Sequence, residues 1–369
     1  MKIQPVRFNT LNNFYAPKSV SFGKTKPSTV NEAAKRTTEP NLSTYIALMS
    51  NKMNLDSNIK FFVGALCKID SDTKRKHEPL QIADIGCCDG ALCRKLSEFL
   101  PKNTNYYGID LSEGMLNEAV KKDKALGRKN TFYEVGNAFN LPYKNNSKDA
   151  IILSSIMHEL YSYPSEEFGE EAYSKDSILH FMQHAYDCLK PGGVLIIKDP
   201  ATPSIDAWEP IKIANANKYD GEIPVIEDIE ELKKANITKL STYDKLRRFT
   251  TDFYPAKDNI KWDENGDCIM PRWLVTEWVR HRKWLRTPEN WAYEIKENYG
   301  TLRPDELSEF AKKTGFSIVK VENISIPNET NIYRINNGEF EIKDMDNNTL
   351  NLEDFPMFIE AVLRKPRNN

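Results

Sequence analysis

A turn rich in small residues follows a short apolar run in "LQIADIGCCDGALCRKL", residues 80–96. Asp84 lies at the end of the run, Gly86 and Gly90 follow it, and Cys88 stands between the two glycines. Glycine lets a backbone approach a ligand closely, and the helix that comes next offers unpaired N–H groups. The stretch therefore predicts a ligand-binding turn at the first strand-to-helix crossover of an open sheet.

Two classes of ligand use such a turn. A dinucleotide pyrophosphate requires G-x-G-x-x-G, but here Cys88 and Ala91 occupy the second and third glycine positions. S-adenosylmethionine carries no phosphate, and its turn is an acid followed by G-x-G-x-G. Asp84, Gly86 and Gly90 match three of those four positions, and the small Cys88 replaces the middle glycine. The residues favour S-adenosylmethionine over a pyrophosphate.

Polar residues after the next two predicted strands could complete a nucleoside site. Asp110 ends the strand in "YYGIDL", where a carboxylate can accept hydrogen bonds from both ribose hydroxyls. Dinucleotide folds share that feature. Asn137 in "EVGNAFNLPY" could hydrogen-bond an adenine edge, with Ala138 near the adenine face. The alternatives are that Asn137 is only a turn residue and that Asp110 only neighbours a helix N-cap.

Candidate acceptor-side groups follow the fourth and fifth predicted strands. "SSIMHEL" places His158 and Glu159 at the ligand edge of the sheet, and histidine titrates near neutrality and could take a proton. The alternative is that His158 only orients a loop. Tyr161 and, after the fifth strand, Asp199 are predicted to line the acceptor pocket.

Two histidines have a spacing that can bind metal. His180 and His184 are four residues apart on a predicted helix. They fall opposite its apolar stripe, which predicts a solvent-facing position, and no third ligand is evident. We therefore predict no metal site.

Alternating strands and helices must position these residues. Strands are predicted at 80–86, 105–111, 131–136, 149–156 and 193–199, with helices at about 91–100, 113–126 and 174–190 between them. A helix and strand restart the pattern at 303–326, Asn337-Gly338 predicts a hairpin within 332–342, and a last strand is predicted at 355–366. Such alternation is typical of a parallel sheet with helices on both faces.

The motifs "IADIGCCDGAL", "YYGIDLSEGML", "GNAFNLPY", "DAIILSSIMHEL" and "CLKPGGVLIIKD" stand in the order and spacing of the class I S-adenosylmethionine-dependent methyltransferases. The chain resembles that family over about 80–200, and 303–366 resembles its closing strands. "SSIMHELYSY" is similar to an uncharacterised bacterial subgroup, which implies no substrate. The resemblance implies a doubly wound, mostly parallel seven-stranded Rossmann-like sheet with N-terminal helices and an aromatic-rich helical insertion before the last strands. It also implies S-adenosylmethionine as cofactor, bound by Asp84, Gly86, Cys88, Gly90, Asp110, Leu111, Asn137, Ala138 and Ser154.

Composition limits the classes of partner and the cellular compartment that the sequence predicts. A net charge of −2 and a pI near 6.3 argue against a broad nucleic-acid surface. Six cysteines without a C-x-x-C pair favour reduced thiols and a cytoplasmic protein. No apolar run reaches the roughly 18 residues that a bilayer requires, so no membrane partner is predicted.

The chain divides by composition into five predicted segments. Residues 1–40 hold seven Lys and Arg against two Glu, which predicts a disordered basic tail. The alternative is a mitochondrial presequence, although three prolines interrupt it. The other segments are an N-terminal helical cap (41–79), a cofactor-binding core (80–200), a substrate-side insertion (201–302) and closing elements of the core (303–369).

The insertion holds all six tryptophans, and 272–285 predicts a helix with Trp278 and His281 on one face. One hypothesis is a helix that packs on the rim of the sheet with a solvated basic side. The other is a cap over the acceptor, with Trp278 and His281 lining the pocket and Arg280 outside. Residues 241–300 hold 11 basic and 10 acidic residues, a balance that disfavours a nucleic-acid groove.

Methyl transfer is an in-line displacement that depends mainly on alignment of the acceptor. We expect transfer to a nitrogen or oxygen, less readily a carbon, of a small or medium organic acceptor, with His158 and Glu159 as catalytic residues. An RNA or protein acceptor, or a non-catalytic S-adenosylmethionine-binding protein, remains the alternative. The sequence does not predict the oligomeric state.

Overall fold

The structure is a computed structural model that describes residues 55–72, 78–163, 172–202, 208–214, 240–256, 258–282, 288–324, 340–351, 355 and 358–367. The predicted basic tail, the first arm of the predicted hairpin and its Asn337-Gly338 turn lie outside the described residues.

The first half of the chain alternates strand and helix, as the sequence pattern predicts. Its elements are α1 (Leu55–Asp72), β1 (Gln81–Ile85), α2 (Ala91–Leu96), β2 (Asn105–Asp110), α3 (Glu113–Ala125), β3 (Thr131–Val135), β4 (Lys148–Ser154), α4 (Met157–Ser162), α5 (Lys175–Cys188) and β5 (Leu189–Pro200). β5 begins four residues before the predicted strand, since Leu189 already pairs with Lys148 at the start of β4.

The second half contains shorter elements. They are β6 (Pro210–Ala214), α6 (Thr242–Asp252), a 3₁₀ turn (Tyr254–Ala256), β7 (Lys261–Trp262), β8 (Cys268–Pro271), α7 (Arg272–His281), α8 (Pro288–Glu294), α9 (Pro304–Lys313), β9 (Ser317–Ile324), β10 (Glu341–Lys343) and β11 (Phe358–Arg364). The predicted helix at 272–285 corresponds to α7.

Seven strands form the main sheet in the order β3-β2-β1-β4-β5-β11-β9. β1 to β5 are parallel, and β11 runs antiparallel to both β5 and β9. The predicted mostly parallel seven-stranded sheet is therefore confirmed. Strand order reverses between β1 and β4, so their carboxyl ends border the crevice where an open α/β sheet binds ligands.

Helices cover both faces of this sheet. Neighbouring residues of β4 face opposite sides: Ile151 packs in the cluster that contains Phe181 of α5, and Ile152 packs in the cluster that contains Leu66 of α1. Six of the seven residues of β4 are buried, which explains why this strand reads as a continuous apolar run. The doubly wound arrangement is confirmed.

A second, antiparallel sheet has the order β10-β6-β8-β7. It shares an apolar core with α6, α7 and α8, in which Phe249, Trp278 and Trp291 are fully buried. β10, which contains the end of the predicted hairpin, pairs with β6, and Ile342 lies opposite Ile213. Both isoleucines are buried, so their burial in this core explains a long-range pairing that local turn chemistry does not indicate.

Candidate active site

The turn after β1 has the backbone that its glycines predict. Gly86, Cys88 and Gly90 have φ values of +68°, +53° and +75°. A Cβ atom at Gly86 would overlap the side chain of Ile156, which follows β4. The two loops that border the crevice therefore touch, and glycine is needed for their approach.

Asp110, at the end of β2, lies against this turn. Its Oδ2 accepts a hydrogen bond from the Cys88 N–H at 2.9 Å, and its Oδ1 accepts one from the Ser112 N–H at 2.9 Å. Carboxylate oxygens can each accept more than one hydrogen bond, so this anchoring is compatible with a ribose contact. Leu111 beside it is 38% exposed, and its contact with the cofactor stays a prediction.

Asp84 is a buried carboxyl beneath the turn. Cys93 donates its thiol hydrogen to Oδ2 of Asp84 at 3.5 Å. Burial raises the pKa of Asp84 to about 7; the hydrogen bond from Cys93 lowers it and the nearby Asp110 charge raises it by less, and burial outweighs both. A cationic ligand beside Asp84 would favour its ionised form.

Asn137 forms a local turn after β3. Its Oδ1 accepts a hydrogen bond from the Phe139 N–H at 3.0 Å, an arrangement typical of asparagine in turns. Ala138 is half-buried and Phe139 belongs to the core. Ser154, half-buried, is the last residue of β4. Contacts of Asn137, Ala138 and Ser154 with the cofactor stay predictions.

His158 lies on α4, just after the carboxyl end of β4, where the sequence predicts the acceptor side of the crevice. Its Nδ1 lies 2.8 Å from Oδ1 of Asp199, and the Asp199 carboxylate also accepts the N–H groups of Met157 at 2.7 Å and His158 at 3.2 Å. The Asp199 side chain is 0% exposed. The prediction that Asp199 lines the acceptor pocket is therefore wrong, because two backbone N–H groups of α4 and the His158 ring enclose the carboxylate.

Glu297, from the insertion, meets the other side of the same imidazole. Its Oε2 lies 3.6 Å from His158 Nε2, and the Tyr163 hydroxyl donates to its Oε1 at 2.9 Å. Ser162 joins the two segments, since its hydroxyl donates to the His158 carbonyl at 2.7 Å and accepts the Asn298 N–H at 2.8 Å.

The charges around His158 decide its protonation. Burial alone lowers the pKa of an imidazole, but the carboxylates of Asp199 and Glu297 outweigh it and raise the pKa of His158 to about 10. The ring is already protonated at neutral pH in this arrangement, which argues against the predicted general base. Glu159, half-buried, is its neighbour on α4 and brings a third carboxylate close to the ring.

Trp278 and His281 are buried in and beside the core of the second sheet. Trp278 is 0% exposed and packs against Phe249, with ring centroids 5.6 Å apart. His281 is also fully buried: its Nδ1 lies 2.8 Å from the Glu277 carbonyl and its Nε2 lies 2.9 Å from the Glu297 carbonyl. The prediction that both line the acceptor pocket is wrong, because the core of the second sheet requires them.

The predicted solvated basic side of α7 is also buried. Arg280 donates to Oε1 of Glu277 at 2.9 Å and to the Ala201 carbonyl at 2.6 Å. The Glu277 carboxylate accepts the N–H groups of Tyr299 at 2.9 Å and Gly300 at 2.8 Å. Mutual neutralisation and saturated hydrogen bonding allow such a pair inside a protein. The pair ties the insertion to the residue that follows β5.

Tyr161 belongs to an aromatic group next to α4. It is half-buried and contacts Tyr173 edge-on at 6.0 Å, and Tyr173 stacks on Tyr254 at 5.9 Å. Its acceptor-lining role stays a prediction. Sequence patterns missed Tyr173 and Glu297, and 134 positions separate Tyr163 from Glu297. The only sequence signal for this segment is the pair of acids in "YEIKENYG", Glu294 and Glu297.

His180 and His184 are half-buried rather than solvent-facing. Their Nε2 atoms are 3.2 Å apart, and the His180 ring contacts Phe139 edge-on. Burial, followed by the neighbouring His180, lowers the pKa of His184.

Comparison with known proteins places this geometry in a family. The family model described as a methyltransferase domain matches residues 76–261. The chain belongs to this family. It is a class I S-adenosylmethionine-dependent methyltransferase, and S-adenosylmethionine is its cofactor. The methyltransferase turn fits that cofactor, because Gly86, Cys88 and Gly90 hold left-handed backbone angles and Asp110 is fixed beside them.

The methyltransferase shares sequence with enzymes of different acceptors. It is 27% identical over 169 residues to the tRNA (guanine-N(7)-)-methyltransferase of Prochlorococcus marinus, covering 44% of this chain and 76% of that protein. It is 26% identical over 178 residues to the demethylmenaquinone methyltransferase of Lactococcus lactis, covering 48% of this chain and 61% of that protein.

Among solved structures, it is similar to an S-adenosylmethionine dependent methyltransferase from Mesorhizobium loti. The TM-score is 0.41 at 17% identity, with 80% of this chain and 95% of that chain covered. A S-adenosylmethionine dependent methyltransferase from Aquifex aeolicus gives a TM-score of 0.35 at 14% identity, covering 78% and 82%. In the described part of this methyltransferase, each helix is too short or too polar to cross a bilayer.

Proposed function

We propose that this methyltransferase transfers the methyl group to a nitrogen or oxygen atom of a small or medium organic acceptor. The observation that carries the proposal is the contact between α4 and the insertion, where Tyr163 donates to Glu297 and Glu297 approaches His158. Polar side chains that are buried and hydrogen-bonded to one another can fix the orientation of a compact ligand. Bound S-adenosylmethionine supplies an activated methyl group.

The position of each residue determines whether we assign it to the cofactor or to the acceptor. We assign the cofactor to the turn with Asp84, Gly86 and Asp110, and the acceptor to the side of the crevice that contains His158 and Tyr161. In this proposal His158, whose Nδ1 contacts Asp199 and whose Nε2 faces Glu297, orients the acceptor side rather than acting as a base. The burial of His158 and Glu297 keeps water from the reacting atoms, so alignment supplies most of the acceleration.

Closure of the acceptor side supports a small acceptor. The 297–300 segment lies on α4 through three contacts: Glu297 with Tyr163, Asn298 with Ser162, and the ring of Tyr299 with His158 at 5.0 Å. A surface covered in this way suits a compact ligand better than a polymer. The similarity to a demethylmenaquinone methyltransferase is consistent with such an acceptor.

An RNA acceptor is the second candidate. The similarity to a tRNA (guanine-N(7)-)-methyltransferase favours it, and exposed Arg247 lies over the rings of Tyr243 and Trp262 at 5.8 and 5.9 Å. A continuous basic rim would also need Arg248. Arg248 is instead buried and paired with Asp252 at 2.5 Å, which weakens this candidate. A cytoplasmic location stays a prediction.

The test is a transfer assay with radiolabelled methyl groups. The full chain is incubated with S-adenosylmethionine and, separately, with a small-metabolite extract, total RNA and total protein. We expect label in the metabolite fraction. Label confined to RNA would replace the proposal with the second candidate, and label in no fraction, with cofactor bound, would favour a non-catalytic protein.

A variant separates the acceptor side from the cofactor side. His158→Ala removes the buried ring, so we expect slower transfer with unchanged affinity for S-adenosylmethionine. A loss of cofactor affinity in this variant would contradict the assignment of His158 to the acceptor side. A thermal melt checks that the variant remains folded.

A further inference from the structure

One imidazole and two carboxylates meet where α4 touches the insertion. We propose that His158 Nε2, Glu159 and Glu297 bind a divalent transition-metal ion, which displaces the proton that Nε2 carries in the metal-free protein and releases it to solvent. A nitrogen of the ring and an oxygen of each carboxylate all lie within 4.8 Å of one another, and His158 and Glu297 are buried.

The distances suit a single ion after a small adjustment. Zinc lies about 2.0–2.2 Å from nitrogen and oxygen ligands, so two ligands at a tetrahedral angle are about 3.4 Å apart. His158 Nε2 and Glu297 Oε2 are 3.6 Å apart. Glu159 is half-buried, and one of its carboxylate oxygens lies within 4.8 Å of the other two ligand atoms.

Neighbouring groups already orient the two buried ligands. Asp199 contacts His158 Nδ1 at 2.8 Å, so Nε2 is the nitrogen that faces the cluster. Metal-binding histidines commonly hold their other nitrogen on a carboxylate in this way. Tyr163 donates to Oε1 of Glu297 and so fixes the second ligand.

The charges also favour a cation. Three carboxylates, those of Glu159, Asp199 and Glu297, lie around one imidazole. Mixed imidazole and carboxylate ligands suit first-row ions such as Zn²⁺, Mn²⁺ or Fe²⁺.

The position indicates what the ion would do. His158 lies four residues after the end of β4, on the acceptor side of the cofactor crevice. There a metal ion would take an oxygen or nitrogen of the acceptor as a further ligand and hold it for transfer. This role rests on the proposed function, whereas metal binding itself requires neither acceptor nor S-adenosylmethionine.

The experiment must first remove a competing pair. His180 and His184 on α5, with Nε2 atoms 3.2 Å apart, also have a chelating spacing. The starting protein is therefore the full-length chain with His180→Ala, without an affinity tag and treated with a chelator. It is titrated with Co²⁺ alone, followed by visible absorption, and then with Zn²⁺ in competition.

We expect one equivalent of Co²⁺ with visible d–d bands that Zn²⁺ abolishes. Glu297→Gln keeps the size of the side chain but removes a charged ligand, so it should weaken Co²⁺ binding on the order of 100-fold, and Glu159→Gln should weaken it about tenfold or more. Glu294→Gln is the matched control: its buried carboxylate contacts Tyr299, and Co²⁺ affinity should not change. Thermal melts verify that each variant is folded.

The outcomes separate this inference from the proposed function. Absent bands, or affinity that Glu297→Gln and Glu159→Gln leave unchanged in folded protein, overturn the metal site even if methyl transfer to a small acceptor is found. One equivalent bound through Glu297 supports the site even if label reaches only RNA. Transfer that falls at least tenfold after chelation and returns with added Zn²⁺ or Mn²⁺ supports the role at the acceptor.

Discussion

The Asp199 carboxylate holds both the ring and the backbone of His158, with Oδ1 at 2.8 Å from Nδ1 and 3.2 Å from the N–H. The two residues lie at the ends of neighbouring strands, β5 and β4, so the parallel sheet itself brings them together. Because Asp199 is fully buried, it acts on an acceptor only through the position of His158.

Replacement of Asp199 by asparagine should destabilise the protein and slow transfer. The new amide nitrogen cannot accept the N–H donors of α4, and an unsatisfied buried group costs about 1–3 kcal/mol. We expect a decrease of that size in the free energy of unfolding, measured with urea. The control is Asp346→Asn at an exposed position, which should change stability by less than about 0.5 kcal/mol. Equal stability of the Asp199→Asn and wild-type proteins would contradict the buried network.

Asp110→Asn should weaken S-adenosylmethionine binding about 10- to 100-fold. The substitution removes a charged acceptor, worth about 1.5–3 kcal/mol per hydrogen bond, and every 1.4 kcal/mol is tenfold in affinity. Calorimetric titration measures the change. Glu113→Gln, exposed in the first turn of α3, removes the same charge nearby and should leave affinity within about twofold. Unchanged affinity in Asp110→Asn would exclude the ribose contact.

Cofactor affinity should increase with pH because of Asp84. Its pKa is about 7 in the ligand-free protein, and the titratable groups that interact with it include Cys93, Asp110, Cys87 and Tyr143. The sulfonium and ammonium groups of the cofactor favour the ionised carboxylate, so affinity should rise about tenfold from pH 6 to pH 8. Titrations in two buffers should show proton release, and Asp84→Asn should flatten the profile. A flat wild-type profile would place the cationic end away from Asp84.

The Asp84 carboxyl also makes the stability of the ligand-free protein depend on pH, but here the free energy of unfolding decreases as pH rises. The folded pKa of about 7 exceeds the ordinary value of 3.8, so between these values the folded protein binds more protons than the unfolded chain. This contribution to the free energy of unfolding is complete below pH 3.8 and is lost as pH rises through about 7. Saturating cofactor should offset the loss, which thermal melts across this range can measure.

The sequence predicted the features that depend on local residue patterns, namely the first crossover turn and the strand-helix alternation. Asp84, Gly86 and Gly90 mark the first crossover. The turn between β1 and α2 has a positive φ at both glycines, a conformation that glycine adopts without strain. The strand-helix alternation then fixes the parallel sheet, and with it the position of Asp110 and His158 at one edge.

The insertion could not be predicted in the same way. Periodicity placed Trp278 and His281 on one face of a helix, but it does not distinguish a face that lines a pocket from one that packs on a second sheet. The charge of Arg280 indicated a solvated side, and only its distant partners, Glu277 and the Ala201 carbonyl, make burial possible. Glu297 reaches His158 through tertiary contacts alone.

Gly86→Ala should cost stability and cofactor affinity together. The φ of +68° strains any L-residue by about 1–2 kcal/mol, and the new methyl group would overlap the side chain of Ile156, adding about 1–3 kcal/mol. Gly127→Ala is the matched control, since its φ is +66° but nothing lies within 4 Å of its Cβ position. Urea unfolding should therefore show a loss of about 1–2 kcal/mol for Gly127→Ala and a larger loss for Gly86→Ala, and only the latter should weaken S-adenosylmethionine binding. Equal losses in the two variants would show that the loops after β1 and β4 separate easily, and the crevice would then not depend on their close approach.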